Sequence, residues 1–240
     1  MKNIGKNKKI LVASATYNEI NNISSLIQKI FNLKINLDIL FIDDNSPDGT
    51  GSMIEEYANK YNNIFLISRN KKKGLDTAHK EIYKFALKNK YDYLITMDAD
   101  LSHDPSIIPI FLKEIKKYNC VVGSRYMRRG RNDLTGIRLF ISKYGNVILK
   151  FFLDMKINEF TTSYRCFDLK KLKKFKFSHV KSSGYSFFMS SIYLINLLGY
   201  SIKQIPIRFY QRQSGESKIP KIEILRVIYN IFLIRLNLLK

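Results

Sequence analysis

The stretch Tyr93-Leu94-Ile95-Thr96-Met97-Asp98-Ala99-Asp100-Leu101-Ser102-His103-Asp104-Pro105 restricts the chain more than any other. It begins as a short apolar run of the kind that makes a buried strand. It ends in two carboxylates one residue apart. Two like charges at the end of a buried strand repel each other and cost stability unless a cation lies between them. Asp and Ser oxygens favour a hard divalent ion, and an ion held by so few protein ligands takes further oxygens from a substrate phosphate. The competing reading is helix capping, where Asp is common. One aspartate suffices for a cap, and Asp98, Asp100 and Asp104 together favour the ion.

The rest of the chain supplies similar strand ends. Ile10 to Ala15 reads as a buried first strand, followed by Thr16-Tyr17-Asn18-Glu19 as a loop, and Asn21 or Asn22 is placed to cap a helix carrying Ile23, Leu26, Ile27 and Ile30. Leu37 to Ile42 is a second strand, ending in the turn-rich Asp43-Asp44-Asn45-Ser46-Pro47-Asp48-Gly49-Thr50, with Thr50 as the expected cap of the next helix. Ile64 to Ile67 is a third strand, Lys71-Lys72-Lys73-Gly74 a basic turn, and a helix then runs to about Lys88 before the strand that delivers Asp98. Strands alternating with helices predict an α/β chain with a parallel, doubly wound sheet. Ligands of such sheets collect at the carboxyl ends of the strands. Tyr17, Glu19, Asp43, Asp44, Asp98 and Asp100 all fall there. No G-x-G-x-x-G or G-x-x-x-x-G-K-[ST] follows the first strand, which excludes the dinucleotide fingerprint and the P-loop.

Beyond Gly123 the alternation stops. Ser124 to Thr135 carries Arg125, Arg128, Arg129 and Arg131 around Gly130, a loop able to offer guanidinium groups to phosphates. Gly136 to Asp154 reads as a helix on which Arg138, Ser142 and Asn146 share one face, either functional or simply solvated. Glu159 to Phe167 has extended character, Ser186 to Leu198 is a strongly apolar helix, and Ile202 to Tyr210 reads as one strand. Two cysteines, Cys120 and Cys166, have no pairing or metal-site spacing and are expected as buried thiols. His79 and His179 are read as packing or surface residues.

The net charge of +21 calls for an anionic partner, although many Lys, Ile and Asn residues point equally to a basic, AT-rich type of proteome. No signal peptide and no run of the ~18 apolar residues that span a bilayer is read from the sequence, which leaves a soluble or peripheral chain.

In order, Thr16-Tyr17-Asn18-Glu19, the Asp43 to Thr50 segment, Met97 to His103, Gly123-Ser124-Arg125-Tyr126 and the Gly-Glu-Ser-Lys ending at Lys218 resemble the family 2 glycosyltransferases, most closely the dolichyl- or polyprenyl-phosphate mannosyltransferases. The resemblance runs from about Lys8 to Lys218 and implies a GT-A fold, Rossmann-like, with helices on both faces of a mostly parallel sheet. It implies an inverting transferase that uses a nucleotide-sugar donor, usually GDP-mannose, and Mg²⁺ or Mn²⁺. Ala15, Tyr17, Glu19, Ile42 and Asp44 would line the nucleoside. Asp98, Ala99, Asp100 and Ser102 would lie at the donor, with Asp98, Asp100 and Ser102 around the ion. Arg125, Arg212 and Lys218 would hold the phosphates, and Arg138 with Ser142 would receive the acceptor phosphate. Asp98, Asp100, Arg125, Arg212 and Lys218 would carry the chemistry.

This chain departs from the pattern in places. Proline is usual where Ala15 stands, and glycine where Asp76 stands. The family's Asp-x-Thr-Ser-Gly-Phe-Arg appears as Glu159-Phe160-Thr161-Thr162-Ser163-Tyr164-Arg165, and a frequent Glu is Ser190. A lipid phosphate with second pKa ~6 is largely dianionic at neutral pH and needs no general base. A hydroxyl acceptor would need one, with His103 or Asp104 nearest. Competing readings are a family 2 enzyme using UDP-glucose, UDP-N-acetylglucosamine or a non-lipid acceptor, and a non-catalytic basic module binding membrane or nucleic acid. The acidic strand ends argue against nucleic acid as the partner.

The expected domain spans residues 1–219. Residues 220–240 are expected as an amphipathic helix with apolar residues almost all round and a net charge of +3, suited to an anionic membrane surface or to docking on a membrane-embedded subunit. The expected location is the cytoplasmic face of a membrane, bound peripherally.

Overall fold

The structure is a computed structural model that describes residues 8–184, 186–211 and 229, without the side chain of Arg138. Arg212, Lys218 and the tail helix expected over 220–240 lie outside the described residues.

Five strands, β1 (Ile10–Thr16), β2 (Asp38–Asp43), β3 (Ile64–Ser68), β4 (Tyr93–Thr96) and β5 (Cys120–Ser124), alternate with α1 (Ile20–Phe31), α2 (Thr50–Lys60), α3 (Leu75–Lys88) and α4 (Ile108–Glu114). After the two-residue β6 (Arg131–Asn132) come α5 (Gly136–Leu153), β7 (Arg165–Asp168), α6 (Ser186–Leu197), β8 (Ile202–Pro206) and β9 (Arg208–Phe209). The main sheet has seven strands in the order β3-β2-β1-β4-β7-β5-β8. All neighbours run parallel except β7, which is antiparallel to both β4 and β5. Strand order reverses between β1 and β4, so their carboxyl ends open side by side at the switch point where α/β sheets take their ligands.

Alternate residues of each strand feed two cores, as the pleat requires. Leu11, Ala13, Leu40 and Leu94 face α3 and α6, while Ile10, Val12, Ile39 and Ile95 face α1, α2 and α4. Cys120 and Cys166 lie buried as free thiols on β5 and β7, and burial pushes the Cys120 thiol up to about 12. His79 is buried against Phe187 and Phe188, which holds its pKa down to about 3, while His179 is exposed.

Four local expectations need correction. Helix α1 starts at Ile20, with Glu19 rather than Asn21 or Asn22 at its N-cap position. Asn22 is instead buried and donates to Glu19 Oε2 at 2.8 Å. Helix α2 is preceded by Gly49 at φ 89°, and Thr50 is its first residue. Asp48 takes the capping role by accepting from Thr50 N at 3.0 Å and from its hydroxyl at 2.6 Å. The segment Glu159 to Tyr164 is an irregular strap, because its amides are spent on side chains rather than on a ladder, and only Arg165–Asp168 is a strand. The strand expected from Ile202 to Tyr210 breaks at Ile207. Pro206 ends β8, and β9 leaves the main sheet to pair with β6.

Helix α5 is unusual. Ser142, Asn146, Leu149 and Leu153 form its inward ridge, whereas Ile137, Phe140, Ile141, Tyr144, Val147, Ile148, Phe151 and Phe152 are exposed, Phe151 by 81%. At about 100° per residue these eight form one outward arc opposite the ridge. Among the described residues, no helix is long and apolar enough to cross a membrane.

Candidate active site

Three strand ends build the floor of the site. At the end of β2, Asp43 is almost wholly buried and organises the turn, accepting from the Thr16 hydroxyl at 2.9 Å, Ser46 N at 2.9 Å and the Ser46 hydroxyl at 2.6 Å. Asp44 forms a buried ion pair with Arg69 and accepts from Lys73 N at 3.2 Å, so it closes the basic turn over the end of β2. Arg69 directly follows β3, the same strand-end position that marks the aspartates, and that position is the signal by which the sequence could have revealed it. Tyr17 lies beside this turn, with the Lys72 ammonium 4.2 Å from its ring centroid. Glu19 N donates to the Thr50 hydroxyl at 2.9 Å, tying the ends of β1 and β2 together. Ala15 is partly buried against the α3 side of the core. Ile42, near the end of β2, has its side chain wholly buried in the core.

The end of β4 carries the acidic pair. Asp98 has a third of its side chain exposed, whereas Ala99, Asp100 and Ser102 are buried. Asp100 Oδ1 accepts from Ser102 N at 3.0 Å and from the Ser102 hydroxyl at 2.5 Å, a turn made possible by Leu101 at φ 61°. Asp98 Oδ1 accepts from the Ser163 hydroxyl at 2.5 Å. His103 is fully enclosed, stacked 4.8 Å from Tyr164 and edge-on to Phe209. Its Nδ1 accepts from Asp98 N at 3.0 Å. Burial holds the imidazole below its ordinary pKa, although Asp98 and Asp100 pull the other way. A ring so enclosed, with its basic nitrogen occupied, is not the general base suggested as a contingency. Asp104 is also occupied, capping the next turn through Ser106 N at 2.9 Å.

Arg125 is buried and gripped by Glu159. Nε and Nη2 each meet a carboxylate oxygen at 2.8 Å, and Nη2 also donates to the Thr161 hydroxyl at 2.9 Å. Burial raises the Glu159 carboxyl, but the Arg125 charge and hydrogen bonds outweigh it and hold the pKa below the usual value. Arg125 is correspondingly held above its own ordinary value. Glu159 appeared in the sequence only as a departure from a motif, with nothing in its neighbourhood to announce a partner thirty-four residues away. Gly130 lets this loop close, since a Cβ there would lie 2.6 Å from the Ser124 carbonyl oxygen.

On α5, Ser142 shares a hydrogen bond of 2.6 Å with the Tyr126 hydroxyl, which also accepts from Asn132 at 2.8 Å. Asn146 is buried, accepting from Phe160 N at 2.8 Å and donating to the Ser142 carbonyl at 2.8 Å. Ser142 and Asn146 therefore belong to the inward face, not to a solvated one. Arg138 lies one turn before Ser142 on the same helix.

The donor set at β4 suits a hard ion whose coordination is completed by substrate oxygens. Among the described residues, no group of three or more His, Cys, Asp and Glu side chains is gathered as a fully protein-ligated ion would require. An ion held there by two carboxylates and a serine oxygen would have most of its coordination sphere open to oxygens from elsewhere.

The profile described as Glycosyl transferase family 2 matches residues 12–181. The chain belongs to that family. It is a glycosyltransferase. It is 30% identical over 211 residues to undecaprenyl-phosphate mannosyltransferase of Micrococcus luteus, covering 88% of this chain and 87% of that one. It is also 30% identical over 227 residues to polyprenol monophosphomannose synthase of Mycolicibacterium smegmatis, covering 93% and 86%. Among solved structures, glucosyl-3-phosphoglycerate synthase from Mycobacterium tuberculosis, in complex with Mn²⁺, UDP and phosphoglyceric acid, superposes with a TM-score of 0.65 at 17% identity, covering 97% of this chain and 80% of that one. The same enzyme with Mg²⁺ and UDP gives a TM-score of 0.63 at 16% identity, covering 97% and 80%. The fold of this transferase is accordingly GT-A, a mostly parallel sheet between helices.

Proposed function

We propose that this glycosyltransferase moves mannose from GDP-mannose to a polyprenyl phosphate with inversion, working at the cytoplasmic face of a membrane. The observation that carries the lipid acceptor is helix α5. Ser142 is on its inward side, bonded to Tyr126 next to Arg125, and its outward side is a continuous apolar arc. A soluble acceptor gives no reason for such a face, whereas a prenyl chain entering from a bilayer does. The occupant of the arc is an anionic bilayer surface. Lys143 and Lys150 flank it, so a second copy of this chain would set cation against cation.

At the donor, Asp98, Asp100 and Ser102 would hold Mg²⁺ or Mn²⁺, which supplies Lewis-acid stabilisation of the leaving diphosphate. Tyr17, Glu19 and Asp44 would lie at the nucleoside end. Arg125, with Arg212 and Lys218 from outside the described residues, would meet the charge that develops on the leaving group. Arg138 and Ser142 would orient the acceptor phosphate, already nucleophilic as a dianion. Residues 1–219 would make up the catalytic domain, and 220–240 would add a second amphipathic contact with the membrane or with a membrane-embedded subunit.

The test is a panel of nucleotide sugars incubated with short-chain polyprenyl phosphates and Mn²⁺, read by mass spectrometry. A mannosyl phosphate product formed from GDP-mannose is expected. Turnover only of UDP-sugars, or only onto a non-lipid acceptor, would overturn the assignment within the family.

A further inference from the structure

We propose that Ser163 is a positioning residue for Asp98, fixing one carboxylate oxygen so that the other is presented to the donor. This rests on the donor site proposed above. Ser163 Oγ donates to Asp98 Oδ1 at 2.5 Å. The Asp98 backbone is held independently, its N–H donating to His103 Nδ1 at 3.0 Å. Asp98 Oδ2 stays 3.7 Å from that same nitrogen, which is already an acceptor, so among the described residues this oxygen is left for a ligand.

Ser163 is itself firmly placed. Its carbonyl accepts from the Thr96 hydroxyl at 2.5 Å, anchoring the strap to β4 two residues before Asp98. On its other side the strap is tied to Arg125 through Glu159 and to α5 through Asn146. Ser163 is almost wholly buried, and its backbone is not left-handed, so the side chain is not needed to relieve any conformational strain. A hydroxyl in this setting restricts the carboxylate to one rotamer and lowers the cost of organising it around an ion. Outer partners of ligating carboxylates have effects of this kind, with losses of about 10- to 100-fold in metal affinity or activity when they are removed.

The experiment uses the full chain as wild type, Ser163→Gly and Ser163→Ala. Mn²⁺ is titrated in the presence of GDP, with free ion read by electron paramagnetic resonance, and transfer kinetics and melting temperature are measured in parallel. Both variants should bind Mn²⁺ about tenfold more weakly and lose kcat by a similar factor, with the acceptor KM unchanged. Agreement between Gly and Ala assigns the effect to the hydroxyl rather than to backbone freedom. Mn²⁺ affinity within twofold of wild type in both variants overturns the proposal, even if the melting temperature falls, because that pattern is purely structural. Wild-type protein that takes up no Mn²⁺ beside either GDP or UDP overturns the donor reading as well, so the two failures are told apart.

Discussion

Around the ends of β1, β2 and β4, buried polar side chains hold one another: Asp43 by Thr16 and Ser46, Asp44 by Arg69, Asp100 by Ser102, Arg125 by Glu159. Along α5, large apolar side chains stand in water with no protein surface over them among the described residues. Each region reverses the usual distribution of side chains. The first spends stability to keep charges fixed, as a site must when it stabilises charge developing in a transition state. The second leaves stability uncollected on a surface that the other described residues do not cover. The donor bed should therefore respond to mutation through chemistry and folding, and the outer arc of α5 through association alone.

The sharpest test of the donor bed is Asp98→Asn or Asp100→Asn. Each should reduce transfer by at least ~10²-fold, the scale for losing one electrostatic stabiliser, while circular dichroism stays native. Full activity of either variant in chelator would show that no ion acts there.

Glu159→Gln leaves the Arg125 charge buried with a neutral partner, which should lower stability by about 3 kcal/mol in urea denaturation. A change below 1 kcal/mol would mean that solvent reaches this pair and that the donor bed is softer than its hydrogen bonds suggest.

His79 tests the packed core beneath the site by its pH response. Its folded pKa, about 3, lies below the ordinary 6.5, so in that window the unfolded chain binds the proton that the folded chain refuses. Stability from this group is complete above 6.5 and is lost as pH falls from there towards 3. The stability advantage of wild type over His79→Gln should shrink by up to about 1.4 kcal/mol per pH unit across that range. Parallel stability curves for the two proteins would show that the ring is hydrated.

The smallest expected effect on folding is on α5. Phe140→Ser combined with Phe151→Ser should change stability by no more than about 0.5 kcal/mol, because neither side chain is buried. The same protein should lose flotation with phosphatidylglycerol vesicles yet keep transfer to a short, water-soluble prenyl phosphate. Unchanged flotation would place the arc against something other than lipid.

How far these regions could be read in the sequence follows from the range of the interactions that make them. β1 to β4 and the aspartates at their ends are written in local alternation, and Asp98 and Asp100 stand where the strand pattern put them. The four-residue spacing that puts Arg138, Ser142 and Asn146 on one face of α5 was equally plain. Periodicity does not say which stripe faces inward, and Ser142 and Asn146 turned out to be on the domain side with the apolar arc outside. Glu159 and Ser163 were hardest to read. Their partners Arg125 and Asp98 are remote in sequence, and only the antiparallel return of β7 brings them into contact. Arg212, Lys218 and the tail lie outside the described residues, and their roles remain proposals.

The place of β7 in the sheet also bears on when the enzyme matures. β7 comes from residues 165–168, yet it sits between β4 and β5. A chain emerging from a ribosome can pair β1 with β2, then β2 with β3, then β1 with β4, but β5 cannot join them until β7 arrives and fills the gap between. The carboxylates of β4 are therefore laid down early, and Ser163 and Glu159, just ahead of β7, reach Asp98 and Arg125 late. Pulse-labelled hydrogen exchange during refolding should find the amides of β1 and β2 protected before those of β5 and β8. In that schedule a protein with half its sheet formed holds an acidic pair without its clamps, and it becomes competent only when the last strands close.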